Sequence, residues 1–378
     1  MKIIVSAGGT GGHIYPALAI IHKIKENEPK SEVLYIGTKD RMESTIIPKE
    51  NIPYFGIEMQ GLSRKNPFKN IKILKLYSKN IAILKKKIKE FNPDIVIGVG
   101  GYVTAPVIYS AKKLGYKTFI HEQNSIPGLS NKFLSHYADK IGVSLPDSIN
   151  SFPKNKVIFT GNPRSEEVLS SKVVGKKDLG LSLHDNKKLV LIVMGSQGST
   201  TMNKKLKETL PLFNNKEYEV VFVTGKNYYE EYSKIKLPAN VRLVAYLDNM
   251  DQVLKKTDLI ISRAGASSIA EITVLGIPSI LIPSPYVTHN HQLKNAKSLE
   301  KNKATVIIEE ANYDKEVLVK TVDSILENKQ YYNELSSNTK KLGVTDSASK
   351  IYQILRGLID GGKHEYRIYK RIKDNGFR

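Results

Sequence analysis

Cysteine and tryptophan are both absent from this 378-residue chain. Without cysteine there are no disulfides, no thiolate nucleophile and no Cys-based zinc site, which suits a reducing cytoplasm. No run of about 18 apolar residues occurs, so no segment is expected to span a bilayer as a helix. The N-terminus lacks a basic stretch leading into an apolar one and goes straight into a strand pattern, so no secretory signal is expected. Acids are scarce: 37 Asp and Glu face 58 Lys and Arg, a formal net charge of +21. That imbalance favours anionic partners, whether nucleic acid, acidic lipid or a phosphorylated substrate. No D-x-D occurs, which argues against a metal-held nucleotide diphosphate.

What is present is alternation. Short apolar, β-branched runs recur at 2–7, 33–37, 94–98, 117–120 and 139–143, and again at 188–194, 219–224, 241–247, 258–262, 278–283 and 304–308. Helical stretches separate them. Continuous apolar strands between helices read as βαβ units and parallel sheets, an α/β chain. The pattern pauses over 160–187, which is polar and rich in turn residues, so two Rossmann-like halves are expected: 1–162 and 163–345. The stretch 346–360 reads as a capped amphipathic helix, expected to pack back onto the first half. Residues 361–378 form a basic tail.

Glycine is concentrated where strands end. After the first strand comes "GGTGGH", with Thr10, Gly11, Gly12 and His13 at the start of a helix expected from about Ile14. Glycines let backbone approach a ligand, and the helix N-terminus favours an anion or polar group. A tight ligand-free turn is the alternative. The dinucleotide fingerprint G-x-G-x-x-G fails on spacing, and no acid closes strand 2, so a nicotinamide oxidoreductase is disfavoured. His13 at a helix start suits a general base, because that position favours the neutral imidazole; a structural histidine is the competing reading.

The second half repeats the device in "VMGSQGSTTMN", where Ser196 and the following amides can cradle a diphosphate. In "ISRAGASSIAEI", Gly265 and Ser267 open a helix that offers amides to phosphate, and Glu271 lies one turn on, either as a partner for ribose hydroxyls or as a solvated helix face. Gln292 and Asn295 follow at i, i+3, a spacing that puts both amides on one helical face, suited to sugar hydroxyls. His289 and His291 have no carboxylate or cysteine nearby in sequence, so no metal is expected. In the first half, "GVGGYVTAPV" places Tyr102 exposed at a second glycine turn, and "HEQNSIPGLSN" sets His121, Glu122, Gln123, Asn124 and Asn131 at strand ends, a cleft signature.

Taken in order, "GGTGGHIYPALA", "GGYVTAPV", "HEQNSIPGLSN", "GNPRSEEV", "MGSQGS" and "RAGASSIAEITVLGIPSILIPSPYVTHNHQLKNA" resemble the MurG family, the peptidoglycan N-acetylglucosaminyltransferases of glycosyltransferase family 28. The likeness runs from residue 3 to about 340. It implies a GT-B fold, with two Rossmann-like domains facing across a cleft. It implies inverting transfer from UDP-GlcNAc to lipid I, an undecaprenyl-diphospho-muramoyl-pentapeptide, at the cytoplasmic face of the cell membrane, in cell-wall synthesis. It implies no cofactor and no required metal. By motif, His13 is the base for the muramoyl 4-hydroxyl, beside Thr10, Gly11 and Gly12. Asn124 and Ser196 fall on nucleotide-sugar positions, Ala266, Ser267 and Ser268 on the diphosphate, and Glu271 on the ribose. Gln292 falls on the GlcNAc hydroxyls and the Leu247 backbone on uracil. Arg164 stands one residue after the proline of "GNP", where many family members carry arginine two residues after it.

Within this fold a UDP-GlcNAc 2-epimerase is the runner-up, but no paired acids stand out for proton transfer at the sugar. A nucleic-acid-binding role fits the charge and not the glycine turns, so no nucleic-acid partner is expected. Residues 60–91 hold ten basic residues and one acid, interleaved with isoleucine, leucine, phenylalanine and tyrosine. This segment is expected to dock on an anionic membrane surface.

Overall fold

The computed structural model describes residues 1–61, 67–195, 198–287 and 290–361, apart from the side chains of 67–69, 72 and 74. Ser196, His289 and the tail 363–378 therefore lie outside the described residues. The chain forms two compact units that divide between Arg164 and Ser165, and the helix Ser347–Ile359 returns to the first unit.

The first unit is built on seven strands: β1 (Lys2–Ser6), β2 (Glu32–Thr38), β3 (Tyr54–Ile57), β4 (Ile95–Gly98), β5 (Lys117–Glu122), β6 (Lys140–Val143) and β7 (Val157–Phe159). They pair in the order β3-β2-β1-β4-β5-β6-β7, every pair parallel. The second unit has six: β8 (Leu189–Val193), β9 (Glu219–Val223), β10 (Val241–Val244), β11 (Leu259–Ser262), β12 (Ser279–Leu281) and β13 (Val306–Ile307), in the order β10-β9-β8-β11-β12-β13. Each of the eleven apolar runs read from sequence lies on one of these strands. The two that sequence reading missed, β3 and β7, are the edges of the first sheet. Their residues are mostly only half-buried, so they lack the continuous apolar signature of a strand covered on both faces.

The sheet order places the sites. In each unit the first strand, β1 or β8, lies between strands whose crossovers run to opposite sides, so a crevice opens beyond the carboxyl ends at β1/β4 and at β8/β11. Register carries the strand ends to that point: Ser6 pairs with Gly98, and Val193 with Ser262. Covering helices seal the rest. Ile351, Ile354 and Leu355 of the returning helix join Ile3, Val5, Ile14 and Ile21 in one core cluster. Burying each such side chain is worth roughly 1.5–3 kcal/mol. The turn-rich 160–187 stretch is not only linker: it contains the helix Arg164–Ser170, and Leu179, Leu181 and Leu183 are buried in the core of the second unit.

Candidate functional site

The first glycine turn is built from close packing. Gly8 donates its amide to the Gly100 carbonyl at 3.2 Å, joining the turns that follow β1 and β4. A Cβ on Gly101 would sit 2.4 Å from the Gly8 carbonyl oxygen, and one on Gly8 2.3 Å from Glu43 Oε1. These glycines are required by backbone and carboxylate pressed against one another. Gly9 is different: its φ is +89° and nothing lies within 4 Å of where a Cβ would be, so this is the position open to a ligand.

The helix begins at Gly11, three residues earlier than expected, with Thr10 at its N-cap. His13 is thus in the first turn. Its Nδ1 lies 3.1 Å from the Gly8 carbonyl and 3.4 Å from Thr10 Oγ1. A carbonyl only accepts, so Nδ1 carries the proton and, in the neutral ring, the basic lone pair is on Nε2. The ring lies against Gly100, where a Cβ would come within 2.5 Å of Cδ2. Backbone from two turns therefore fixes both the tautomer and the ring orientation of His13. Arg164 reaches the same helix: its guanidinium stacks 5.9 Å from the Tyr15 ring centroid. Tyr102 is half-buried rather than exposed. Its buried hydroxyl has no hydrogen-bond partner among the described residues, its carbonyl accepts from Tyr77 at 3.3 Å, and its ring packs by Gly61.

The "HEQN" run, read as a cleft wall, is instead mostly an internal scaffold. His121, Glu122, Gln123 and Asn131 are buried, and Asn124 is only half-buried. His121 Nε2 donates to the Gly161 carbonyl at 3.0 Å, while Nδ1 accepts from Gln123 at 3.0 Å. Glu122 accepts from Asn131, from the Gly128 amide and from the Asn124 amide. These bonds tie the ends of β5 and β7 to the loop that carries Asn124. Burial, only partly offset by the Gly161 bond, lowers the His121 pKa from 6.5 to about 4. Between these values the unfolded chain takes up a proton that the folded chain refuses. Stability is thus full above about pH 6.5 and should fall by about 3 kcal/mol as pH drops toward 4. Urea unfolding at several pH values should show this component in the parent. In His121→Gln it should be missing, with lower stability at neutral pH.

In the second unit Ser199 caps the helix Thr200–Thr209. Behind it lies the buried Arg263, whose role the motif alone does not reveal. It donates to Ser199 Oγ at 2.9 Å and to the Ile282 carbonyl at 3.0 Å, and pairs with buried Glu310. The helix Ala266–Leu275 makes its first intrahelical bond from the Ile269 amide to the Gly265 carbonyl, so the amides of Ala266, Ser267 and Ser268 precede it in the first turn. That turn is an anion-binding terminus. Glu271 is half-buried on the same helix. Leu247 buries its side chain in the core of the second unit.

Gln292 and Asn295 part company. Gln292 is half-buried and accepts from the Ser284 amide at 2.8 Å, which fixes its amide orientation. Asn295 is wholly buried and donates to the Ala264 carbonyl at 3.2 Å, holding the backbone before the phosphate-type turn. The expectation that both amides face a sugar is thus corrected for Asn295, which shapes the turn from inside. Glu43 was missed altogether. Its carboxylate reaches back five residues to the end of β2, a contact that only the folded chain creates.

The chain matches the glycosyltransferase family 28 N-terminal domain over residues 3–143 and the family 28 C-terminal domain over 189–351. It is 46% identical over 364 residues to a Bacillus cytotoxicus protein named UDP-N-acetylglucosamine--N-acetylmuramyl-(pentapeptide) pyrophosphoryl-undecaprenol N-acetylglucosamine transferase, covering 95% of this chain and 100% of that one. A Bacillus cereus transferase of the same name, numbered 1, is also 46% identical over the same shares. Among solved structures, Acinetobacter baumannii MurG aligns with TM-score 0.74 at 27% identity, over 94% of this chain and 99% of that one. A Neisseria meningitidis UDP-GlcNAc 2-epimerase aligns with TM-score 0.65 at 16% identity, over 94% and 99%, a likeness of fold alone.

Proposed function

The chain belongs to glycosyltransferase family 28, among its MurG-type N-acetylglucosaminyltransferases, and on that premise we propose that it transfers N-acetylglucosamine from UDP-GlcNAc to lipid I. The acceptor is the muramoyl 4-hydroxyl of undecaprenyl-diphospho-muramoyl-pentapeptide; the product is lipid II, with inversion at the sugar. The full-length likeness to the Bacillus transferases carries this reading.

The chemistry follows from the residues. His13 Nε2 takes the proton of the acceptor hydroxyl as its oxygen attacks C1 of the donor sugar, and the bond from C1 to UDP breaks. Charge then grows on the leaving diphosphate. The first-turn amides of Ala266, Ser267 and Ser268 stabilise it, as does the terminus capped by Ser199; Ser196 of the motif "MGSQGS" is assigned the same role by sequence. Glu271 accepts from the ribose hydroxyls, Gln292 donates to the sugar, and the Leu247 backbone meets uracil. Thr10, Gly11, Gly12, Tyr102 and Asn124 line the turns, and Arg164 stands beside them over Tyr15. Asn295 acts from inside by holding Ala264.

The acceptor is lipid-linked, and this chain has no helix, among the described residues, long and apolar enough to cross a membrane. Peripheral docking at the cytoplasmic face meets that need. The helix Pro67–Phe91 buries Ile73, Asn80, Leu84 and Ile88 and leaves Ile71 58% and Ile83 39% exposed among exposed Lys75, Lys79 and Lys86. Beside it, Phe133 packs with Tyr109 and Tyr137, and Lys113 stacks on Tyr109. Apolar side chains set among cations suit an anionic leaflet.

Incubating the protein with UDP-GlcNAc and a lipid I analogue should release UDP only when the acceptor is present, and EDTA should leave the rate unchanged. Turnover of UDP-GlcNAc to an isomer without acceptor would favour the epimerase reading instead. Glu271→Ala should weaken UDP and UDP-GlcNAc alike by roughly 1–3 kcal/mol, the loss of an acceptor for bound hydroxyls. Unchanged UDP affinity by calorimetry would leave Glu271 as a helix-surface acid.

A further inference from the structure

Behind the first glycine turn lies a carboxylate that the chemistry above leaves unused. Glu43 is fully buried and opens the helix Glu43–Lys49. Its Oε1 accepts from the Thr38 amide at 3.1 Å and from Thr38 Oγ1 at 2.7 Å; its Oε2 accepts from the Gly9 amide at 3.1 Å. The Gly9 N–H and the Gly8 C=O belong to one planar peptide unit. On one edge that unit donates to Glu43, and on the other it accepts from His13 Nδ1 at 3.1 Å.

We propose that Glu43 is a positioning residue for His13, acting through the Gly8–Gly9 peptide as a carboxylate–amide–imidazole relay. The inference rests on the reading of His13 as the base. A carboxylate drawing on the N–H polarises the amide and enriches its carbonyl oxygen in negative charge. The bond from His13 Nδ1–H to that oxygen is strengthened in turn. Such a chain holds the proton on Nδ1, keeps the lone pair on Nε2 and makes Nε2 more basic, as a carboxylate bonded directly to an imidazole does. The preceding Ala7–Gly8 peptide is anchored by its Gly8 amide, bonded to the Gly100 carbonyl, and the carboxylate lies where a Gly8 side chain would be.

The other titratable groups around the relay are identifiable. Tyr35 and Tyr54 flank Glu43 and donate to the Ala7 and Thr38 carbonyls. Burial first, and Glu43 second, push both phenols up, so they stay neutral in the working range. Asp40 adds a smaller push on the Tyr54 phenol in the same direction, and Arg164 stacks on Tyr15, two residues along the His13 helix.

The test is an NMR titration of His13 in protein carrying nitrogen-labelled histidine, alongside steady-state kinetics. Glu43→Gln removes the charge: the His13 pKa should fall by about half to one unit and its Nδ1–H tautomer should lose its dominance. At neutral pH kcat should fall about ten-fold, with KM for UDP-GlcNAc unchanged. Thr38→Val deletes one donor and leaves more of the carboxylate's charge on Gly9, so the His13 pKa should rise by a few tenths of a unit. A merely structural carboxylate would lower folding stability in both variants without shifts of opposite sign. Shifts in the same direction, or none, overturn the relay. Should Glu43→Gln fail to fold, Thr38→Val decides alone, a rise supporting the relay and a fall or no change overturning it. Opposite NMR shifts with no kinetic effect leave the relay standing and remove His13 from the base role.

Discussion

Replacing His13 by alanine is expected to lower turnover by about 10²–10⁴-fold while leaving UDP-GlcNAc binding nearly intact, the usual range for loss of a general base. The expectation comes from geometry. Its Nδ1 is bonded to the Gly8 carbonyl and its ring lies against Gly100, so in the neutral ring the basic lone pair is on Nε2. The donor-type anion site, in contrast, is assembled from the second unit, at Ala266 to Ser268. Kinetics and calorimetry on one variant separate the two roles. Turnover equal to the parent's would remove His13 as the base; a parallel loss of donor affinity would make it a binding residue.

Reversing charge on the first unit should produce a second large effect. Each basic residue near an anionic leaflet is worth about 1 kcal/mol, so deleting the contributions of Lys75, Lys79 and Lys86 should weaken vesicle binding about a hundred-fold. Reversal to glutamate adds repulsion to that loss. Co-sedimentation of the parent should rise with anionic lipid and fall with added salt, because the attraction fades beyond a Debye length. The triple glutamate variant should stay in the supernatant and still bind UDP-GlcNAc. The exposed Ile71, Ile83 and Phe133 place apolar surface among these cations, so Phe133→Ser should also weaken sedimentation, with less dependence on salt. If the glutamate variant still sediments like the parent at low salt, the docking surface lies elsewhere on the chain.

How legible all this was in the sequence depended on the range of the interactions. Buried parallel strands are apolar along their whole length, so the run KIIVS or LVLIV declares itself. Edge strands are covered less, and YFGI at β3 carries no such signal. His13 was readable because its setting is local: a strand, a glycine turn and a helix start within a dozen residues. Glu43 was not. Its partners are Thr38 and the turn some 34 residues earlier, a meeting made by the pairing of β1 with β2. The run at 121–124 misled for the same reason. Its polarity suggested a surface, but His121 finds Thr160 and Gly161 about forty residues on and spends its hydrogen bonds indoors. Asn295 likewise satisfies its amide on Ala264, 31 residues away. Polar residues at strand ends face either a ligand or the chain itself, and only the fold decides between them.

The most direct measurement is the configuration of the bond made when purified protein acts on UDP-GlcNAc and a lipid I analogue. The donor sugar is α-linked to UDP. A single displacement by an acceptor hydroxyl that His13 deprotonates must deliver a β-linked N-acetylglucosamine on the muramoyl 4-oxygen, visible in the anomeric proton coupling of the lipid-linked disaccharide. An α-linked product, or sugar released with no disaccharide formed, would contradict both the proposed reaction and the role given to His13.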